Sequence, residues 1–303
     1  MKPITKRIFI FSAVTVISGL TLMGVGMGLG GRPGVLFSKD GIRSPYQEKK
    51  PYIQEKSQLE EFHSLNLSID SDAQIRILPS NDQNYYIEYL LDGNNQKPRC
   101  EVTDDTLHFS QTDSQNYMVG MFGIQLGSFV QSEPFVTLYL PEDVLLKQTQ
   151  IFTSYGDISL SSVNLGKASV ETEYGNISLK DTTAETLHLQ LEFGDCFIDE
   201  LTTDTLNIYS EYGDIQTKKL SFQSADITLE YGDLNLTLPD SIKNYQCKFH
   251  LEYGDLTLPE DAPKEWYQNE DEEVIYQTKQ NDTHKNKQIT VQSEDGDVQI
   301  QYP

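Results

Sequence analysis

The chain has 303 residues with 46 acidic and 23 basic side chains, a net charge of −23, and a mean hydropathy of −0.47. This composition excludes a polytopic membrane protein and indicates a soluble acidic body. It also argues against nucleic acid as a partner, because phosphate binding needs clustered Lys and Arg, whereas cationic partners remain open.

Residues 8–31 form the first predicted element, an uncharged apolar segment. As a helix rising ~1.5 Å per residue it would reach ~36 Å, more than the ~30 Å hydrocarbon core of a membrane. Residues 1–7 carry Lys2, Lys6 and Arg7, and the positive-inside rule keeps this stub in the cytoplasm. The sequence therefore predicts a single-pass protein of the cell membrane with its body outside the cytoplasm, anchored through residues 8–31.

A cleaved signal peptide is the competing interpretation of residues 8–31, since basic residues before an apolar segment fit both. The segment is long and lacks a clear small-x-small cleavage site, which favours an uncleaved signal anchor. The exported part keeps 20 basic and 46 acidic residues, a net charge of −26. Residues 32–57 contain Gly, Pro and Lys without sustained periodicity, and predict a stalk between membrane and body.

Residues 58–303 form the predicted body. Its first part contains the alternating segments HSLNLSI, AQIRILP, YYIEYLL, TLHFSQ and FVTLYLP, which predict strands of early, less regular coils. From about residue 150, a Gly-Asp or Gly-Asn pair returns at four intervals of 19 residues, then at 22 and 42, and an aromatic residue precedes the glycine in every copy except the last. A fixed period near 20 residues indicates a solenoid.

Within each repeat the apolar residues alternate, as at Leu187, Leu189 and Leu191, which is typical of strands with one buried face. The fold prediction is therefore all-β: a single-stranded parallel β-helix, or β-solenoid, of 19-residue coils behind one N-terminal transmembrane helix. Cys196 and Cys247 fall on inward positions and are predicted to be buried as small hydrophobic residues.

The Gly-Asp pairs are predicted to be structural turns. Glycine reaches positive φ at little cost, and the Asp or Asn beside it can cap the turn with its own side chain. Because these carboxylates recur at one position in coil after coil, they form the turn and are not catalytic; no enzyme activity and no cofactor is predicted. The predicted turn residues are Gly156, Asp157, Gly175, Asn176, Gly194, Asp195, Gly213, Asp214, Gly232, Asp233, Gly254, Asp255, Gly296 and Asp297.

Two further columns precede each glycine. Alternation assigns the aromatic residue to the inward face, as a stacked column of Tyr155, Tyr174, Phe193, Tyr212, Tyr231 and Tyr253. The residue before it faces outward and is predicted to form a carboxylate ladder spaced ~4.8 Å at Glu173, Glu192, Glu211, Glu230 and Glu252. Calcium is a candidate ligand of that ladder, but hard cations want six or more oxygen ligands. A solvated acidic face is the favoured interpretation.

A charged insertion occupies residues 259–288 and holds Trp266, the only tryptophan, followed by Tyr267. Insertions in repeat proteins emerge as loops and frequently bind partners. Trp266 and Tyr267 are therefore candidate interaction residues, although a cap or an irregular hairpin is equally compatible with this segment.

The strands from about residue 62, the LYLPED turn before the repeats and the serial YGDI/L units resemble the bacterial "putative adhesin" domain family, whose members often follow one transmembrane helix. The resemblance covers most of the chain after residue 60. It implies a right-handed β-helix and an envelope location. Some relatives are associated with cell-envelope stress systems of Gram-positive bacteria, which implies a sensing or accessory role.

Two function classes follow. The first and preferred is a non-enzymatic envelope protein that docks a protein partner, through the flat ladder or the Trp266 insertion, as an accessory or sensor in envelope stress. The second is a surface adhesin or polysaccharide-binding protein that contacts wall glycan through outward aromatic residues such as Tyr209. A mainly structural spacer is a third option.

Overall fold

The computed structural model describes residues 3–28, 36–38, 41–43, 50–93, 95–112, 133–270, 273–279 and 286–303. The chain divides into two compact units, one of residues 1–50 with 113–131 and one of residues 51–112 with 132–303.

The first unit contains helix α1 (Pro3–Gly28) and an antiparallel pair of short strands, β1 (Leu36–Ser38) and β2 (Gly41–Arg43). Among the residues that the structure describes, no helix is both long enough and apolar enough to cross a membrane, so the predicted transmembrane helix is not confirmed. Residues 29–31 of that segment lie outside the described residues.

The second unit is the predicted β body, and it begins earlier than residue 58. The segment predicted as the end of the stalk belongs to an edge strand whose side chains alternate between half-buried and exposed and which pairs antiparallel with Tyr85–Leu91. The remaining alternating segments form strands as predicted. These strands are β3 (Tyr52–Leu59), β4 (Ser64–Ile69), β5 (Gln74–Pro79), β6 (Tyr85–Leu91), β7 (Arg99–Thr103), β8 (Thr106–Gln111) and β9 (Phe135–Leu140).

The regular coils confirm the parallel solenoid and its period. Tyr174 pairs with Phe193 and Phe193 with Tyr212, each one coil of 19 residues further along. Three strands run 17 residues each and are broken only at the Gly-Asp or Gly-Asn corner, because ladder pairing continues through their bends. These coils contain β10 (Leu145–Thr153), β11 (Ile158–Tyr174), β12 (Ile177–Phe193), β13 (Cys196–Tyr212), β14 (Ile215–Ser221), β15 (Ser224–Tyr231), β16 (Leu234–Thr237), β17 (Tyr245–Tyr253) and β18 (Leu256–Thr257).

The described part of the insertion at 259–288 forms a cap on the solenoid. Two of its strands form an antiparallel hairpin, and the second strand pairs antiparallel with β17. An antiparallel strand closes the edge that a parallel stack would leave unpaired. The last strands, after 3₁₀ turns at Ile242–Asn244 and Lys264–Trp266, are β19 (Tyr267–Glu270), β20 (Glu273–Gln277), β21 (Lys287–Asp295) and β22 (Val298–Gln301).

The stacking order of the coils departs from chain order at both ends. Strand β21 lies between β15 and β17, and β22 between β16 and β18. The coil that closes the chain is therefore next to last in space. At the other end, β4 lies between β8 and β10.

The interior of the solenoid is a continuous stack of Leu and Ile side chains from every coil. Cys196 and Cys247 are buried in it, as predicted. Burial raises the pKa of the Cys196 thiol to about 12, so this side chain stays a protonated, unreactive hydrophobe at neutral pH.

Candidate docking surface at the glycine corner

The glycine corner needs residues without a side chain for two reasons. Gly213 has a φ of 149°, a conformation that other residues rarely adopt. A Cβ on Gly213 would also lie 2.0 Å from the carbonyl oxygen of Gly194 in the adjacent coil. Positive φ is confirmed for Gly194, Gly213, Gly232, Gly254 and Gly296. At Gly156 and Gly175 the close approach alone, 2.1 and 2.3 Å to a carbonyl oxygen, excludes a Cβ.

The Asp or Asn after each glycine binds the neighbouring coil. Its Oδ1 accepts a hydrogen bond from the backbone N–H of the equivalent residue in the next coil, whereas the sequence predicted a cap on its own turn. At the C-terminal end of the solenoid these bonds follow the order of the coils in space, so Asp297 lies between Asp233 and Asp255. The donor–acceptor pairs, at 2.8–2.9 Å, are Asn176–Asp157, Asp195–Asn176, Asp214–Asp195, Asp233–Asp214, Asp297–Asp233 and Asp255–Asp297.

Asp214→Ala is expected to lower the free energy of unfolding by about 1–2 kcal/mol, because the N–H of Asp233 loses its acceptor. Asp214→Asn keeps an Oδ1 in place and should stay within about 0.5 kcal/mol of the parent protein. Asn176, which accepts the same bond naturally, supports that expectation. Denaturant unfolding of the two variants measures the difference, and equal losses would show that charge, not the bond, is what matters.

The aromatic residue of each corner points outward, so its prediction as a buried column is wrong. The six rings are 38–56% exposed. The inward alternation ends one position before the corner, as at buried Ser210, and resumes at Ile215. The four residues between them, Glu211 to Asp214, build the bend and carry the ring to the outside. A signal was present in the sequence, since five of the six rings stand between a glutamate and a glycine in a polar turn, and Tyr155 stands between a serine and a glycine.

Five of the six rings form one stacked column, as predicted, whereas Tyr253 does not stack on Tyr231. Consecutive ring centroids lie 4.9–5.2 Å apart and the planes differ by 2–6° for Tyr155, Tyr174, Phe193, Tyr212 and Tyr231. Asp295 occupies the next rung, between Tyr231 and Tyr253. The gap between neighbouring rings admits no further ring or sugar, so the column offers a ligand ring edges and phenolic hydroxyls rather than the inner ring faces.

The predicted glutamate ladder lies beside this column. Glu173, Glu192, Glu211 and Glu230 are half-buried, and Glu294 joins them on the rung between Glu230 and Glu252, as the pairing of Tyr231 and Tyr253 with Asp295 implies. Among the described residues, none of these glutamates has an ion-pair partner, whereas at another corner Lys218 and Lys219 neutralise Asp199 and Glu200 at 3.0 and 3.1 Å.

The glutamate ladder does not form a compact metal cage. In the described part of the chain no group of three or more His, Cys, Asp or Glu side chains is arranged to hold a metal ion. Calcium binding at Glu173, Glu192, Glu211, Glu230 and Glu252 stays a prediction. One member is already engaged: the hydroxyl of Tyr209 donates to the carboxylate of Glu230, and this bond raises the pKa of Tyr209 to about 12.

We call this surface the corner strip: the stacked rings of Tyr155, Tyr174, Phe193, Tyr212 and Tyr231, with the glutamate column before them and the Asp/Asn column after them in the chain. It brings together the predicted turn residues, the aromatic column and the acidic ladder.

Trp266 does not belong to the corner strip or to any exposed site. It is 5% exposed and packs against Tyr276 with ring centroids 5.7 Å apart, so its prediction as an interaction residue is wrong. A large apolar side chain is needed there because the last coil would otherwise leave the end of the core open. Tyr267, beside it, is 39% exposed.

The fold and its corner define a β-solenoid repeat protein whose turns are built from Gly and Asp. The chain belongs to the family described as Toastrack DUF4097, whose model matches residues 65–301. This match confirms the family resemblance indicated by the Gly-Asp repeat. No curated protein sequence matches the chain.

Three bacterial proteins of solved structure are similar to the chain. A "putative adhesin" from Bacteroides fragilis is 14% identical, with 84% of this chain and 98% of that chain covered and a TM-score of 0.47. A "putative cell adhesion protein" from Clostridium sporogenes is 14% identical, covering 84% and 100%, with a TM-score of 0.33. A "putative lipid binding protein" from Parabacteroides distasonis is 13% identical, covering 82% and 96%, with a TM-score of 0.41.

Proposed function

We propose that this protein is a non-enzymatic component of the bacterial cell envelope that docks a protein partner on the corner strip of its solenoid. The observation that carries the proposal is the exposure of five stacked aromatic rings in one straight column. Exposed aromatic residues are the side chains that most often anchor protein interfaces. The column supplies a rigid row of them, because each ring is held by its neighbours.

The position outside the cytoplasm is part of the proposal and rests on the sequence. The apolar run of residues 8–31 follows a basic stub, the pattern of a signal anchor that exports what comes after it. The accessory or sensing role in envelope stress rests on the family resemblance.

The absence of enzymatic activity is supported by what the corner carboxylates do. The Oδ1 atoms of Asp157, Asp195, Asp214, Asp233 and Asp297 accept backbone hydrogen bonds from the next coil. The same bonded carboxylate recurs in coil after coil, which is the pattern of a structural turn that joins neighbouring coils.

The test removes one ring from the corner strip and one matched ring from another face. Phe193 is 38% exposed in the column, and Phe197 is 41% exposed four residues further on. Full-length chains carrying Phe193→Ala or Phe197→Ala would be crosslinked in the membranes of the native host and recovered by affinity capture. We expect one stoichiometric protein partner with the parent chain and Phe197→Ala, and at least about tenfold less of it with Phe193→Ala.

Equal recovery with both variants would overturn docking on the corner strip. Saturable binding of purified wall glycan, with no protein partner recovered, would favour the adhesin function instead. Protease treatment of intact cells with the wall removed checks the location: the body should be cut from outside, and its protection would overturn the envelope placement.

A further inference from the structure

We infer that the partner segment seated on the corner strip is an α-helix that carries one Lys or Arg per turn along one side. This inference rests on the proposed function, since it names the occupant of the same surface. It follows from three properties of the strip: unpaired charge, the spacing of its rungs and the parts of the rings that remain accessible.

The first property is charge. No cation of the described residues pairs with Glu173, Glu192 or Glu211, while the carboxylates of another corner have lysine partners. Like charges one rung apart repel one another, and an opposite charge within a few ångströms relieves the repulsion. The occupant of the strip is therefore cationic. A second copy of this chain placed strip against strip does not satisfy this requirement, because it would bring the same carboxylates face to face.

The second property is spacing. Rungs of the strip recur every 4.9 Å from Tyr174 to Tyr231. Side chains on one side of an α-helix recur about every 5.4 Å, so over the three spacings between these four rungs the mismatch accumulates to only about 1.5 Å, within the reach of Lys or Arg. Alternate residues of an extended strand recur about every 6.6 Å, and their mismatch over the same three spacings grows to about 5 Å. A helix lying along the column matches the rungs and a strand does not.

The third property is the accessible chemistry of the rings. Stacking covers both faces of Tyr174, Phe193 and Tyr212, so a cation cannot sit over them and is directed to the flanking carboxylates. The methylene stems of Lys and Arg can then lie against the ring edges. The hydroxyls of Tyr155, Tyr174, Tyr212 and Tyr231 have no partner in the described part of the chain and can accept from ammonium or guanidinium groups.

The experiment measures binding of labelled model peptides to the full-length chain in detergent, by fluorescence anisotropy near physiological salt. Each peptide has about 18 residues, five helical turns, and five lysines. One is an alanine-based helix with the lysines along one side, one is a helix of the same composition with the lysines spread around it, and one is an extended, valine-rich peptide with alternating lysines. We expect the striped helix to bind about tenfold more tightly than either of the others.

Two matched variants place the binding on the strip. The first is a triple variant, Glu173→Gln, Glu192→Gln and Glu211→Gln. It should bind the striped helix about tenfold more weakly, and its binding should depend less on salt. Glu185→Gln, Asp204→Asn and Asp226→Asn remove the same three charges from exposed positions elsewhere and should leave the affinity within about twofold. Circular dichroism checks that both triple variants are folded.

Equal affinity for the striped and scrambled helices, or equal effects of the two triple variants, would overturn the inference by showing only diffuse attraction to an acidic protein. Tighter binding of the extended peptide would overturn it in favour of a strand. The proposed function is tested separately. It is contradicted if capture from native membranes is unaffected by Phe193→Ala, even when the striped helix binds. It is supported if capture requires Phe193, even when the chain binds all three peptides equally.

Discussion

Gly213→Ala is expected to lower the free energy of unfolding by about 3–5 kcal/mol, because alanine at this corner combines backbone strain with a steric clash. The φ of 149° at Gly213 is strained for alanine by about 1–3 kcal/mol. The new Cβ would stand 2.0 Å from the carbonyl oxygen of Gly194, so the two coils must move apart. That movement lengthens the bond from the N–H of Asp214 to Asp195. Denaturant unfolding of the purified chain measures the loss.

Two comparisons decide whether this cost arises from the corner. Gly175→Ala meets a carbonyl oxygen at 2.3 Å but lacks the positive φ, so it should be damaging to a smaller degree than Gly213→Ala. Gln216→Ala changes an exposed strand position of the same coil and should stay within about 0.5 kcal/mol. A Gly213→Ala protein as stable as Gln216→Ala would contradict the close packing of the corners.

The coil and its period could be predicted because they are local properties. Alternation at Leu187, Leu189 and Leu191 marks the buried face within one strand, and a glycine every 19 residues marks the corner. In a solenoid each coil contacts only its neighbours, so one repeat contains nearly all the information needed for the next. Those predictions are confirmed by the burial of the Leu side chains and by the parallel register of β11, β12 and β13.

Alternation could not predict that the aromatic column faces outward, because the period of two residues fails where the chain bends. The corner uses four residues, and alternation carried through it assigns Tyr212 to the wrong face. The role of Asp214 was missed in part for a related reason. Its acceptor atom serves Asp233, 19 residues away in sequence, and no pattern within one turn distinguishes a cap on its own coil from a bond to the next.

The order of the coils is set by pairing between distant strands. Both β15 and β17 can pair with any neighbour of matching register, and the sequence separation between glycines does not say which they choose. The hairpin that follows Trp266 covers the outer edge of β17, so the inner edge is the one open to β21. The burial of Trp266 follows from this arrangement and could not be predicted from the sequence of the insertion alone.

Val291→Asp is expected to abolish the order of the last coils while leaving the middle of the solenoid folded. Val291 is fully buried in β21 and pairs with Ile227 on one side and Phe249 on the other. A carboxylate there would be buried without a partner, at a cost of several kcal/mol, so the intercalated coil should detach. Strand β17 would then lose its parallel neighbour. Hydrogen exchange should show protection lost in β17 and β21, lowered in β15 and retained in β12.

Gln292→Asp is the matched control, since it adds the same charge one residue further along on the exposed face of β21 and should leave every strand protected. The two variants separate loss of the coil from the effect of added negative charge. If Val291→Asp deprotects β21 alone and β17 stays protected, β17 has paired directly with β15, and the closing coil is a removable insert. If protection is lost through β12 as well, the solenoid unfolds as one unit, because the coupling between coils exceeds the stability that any coil has by itself.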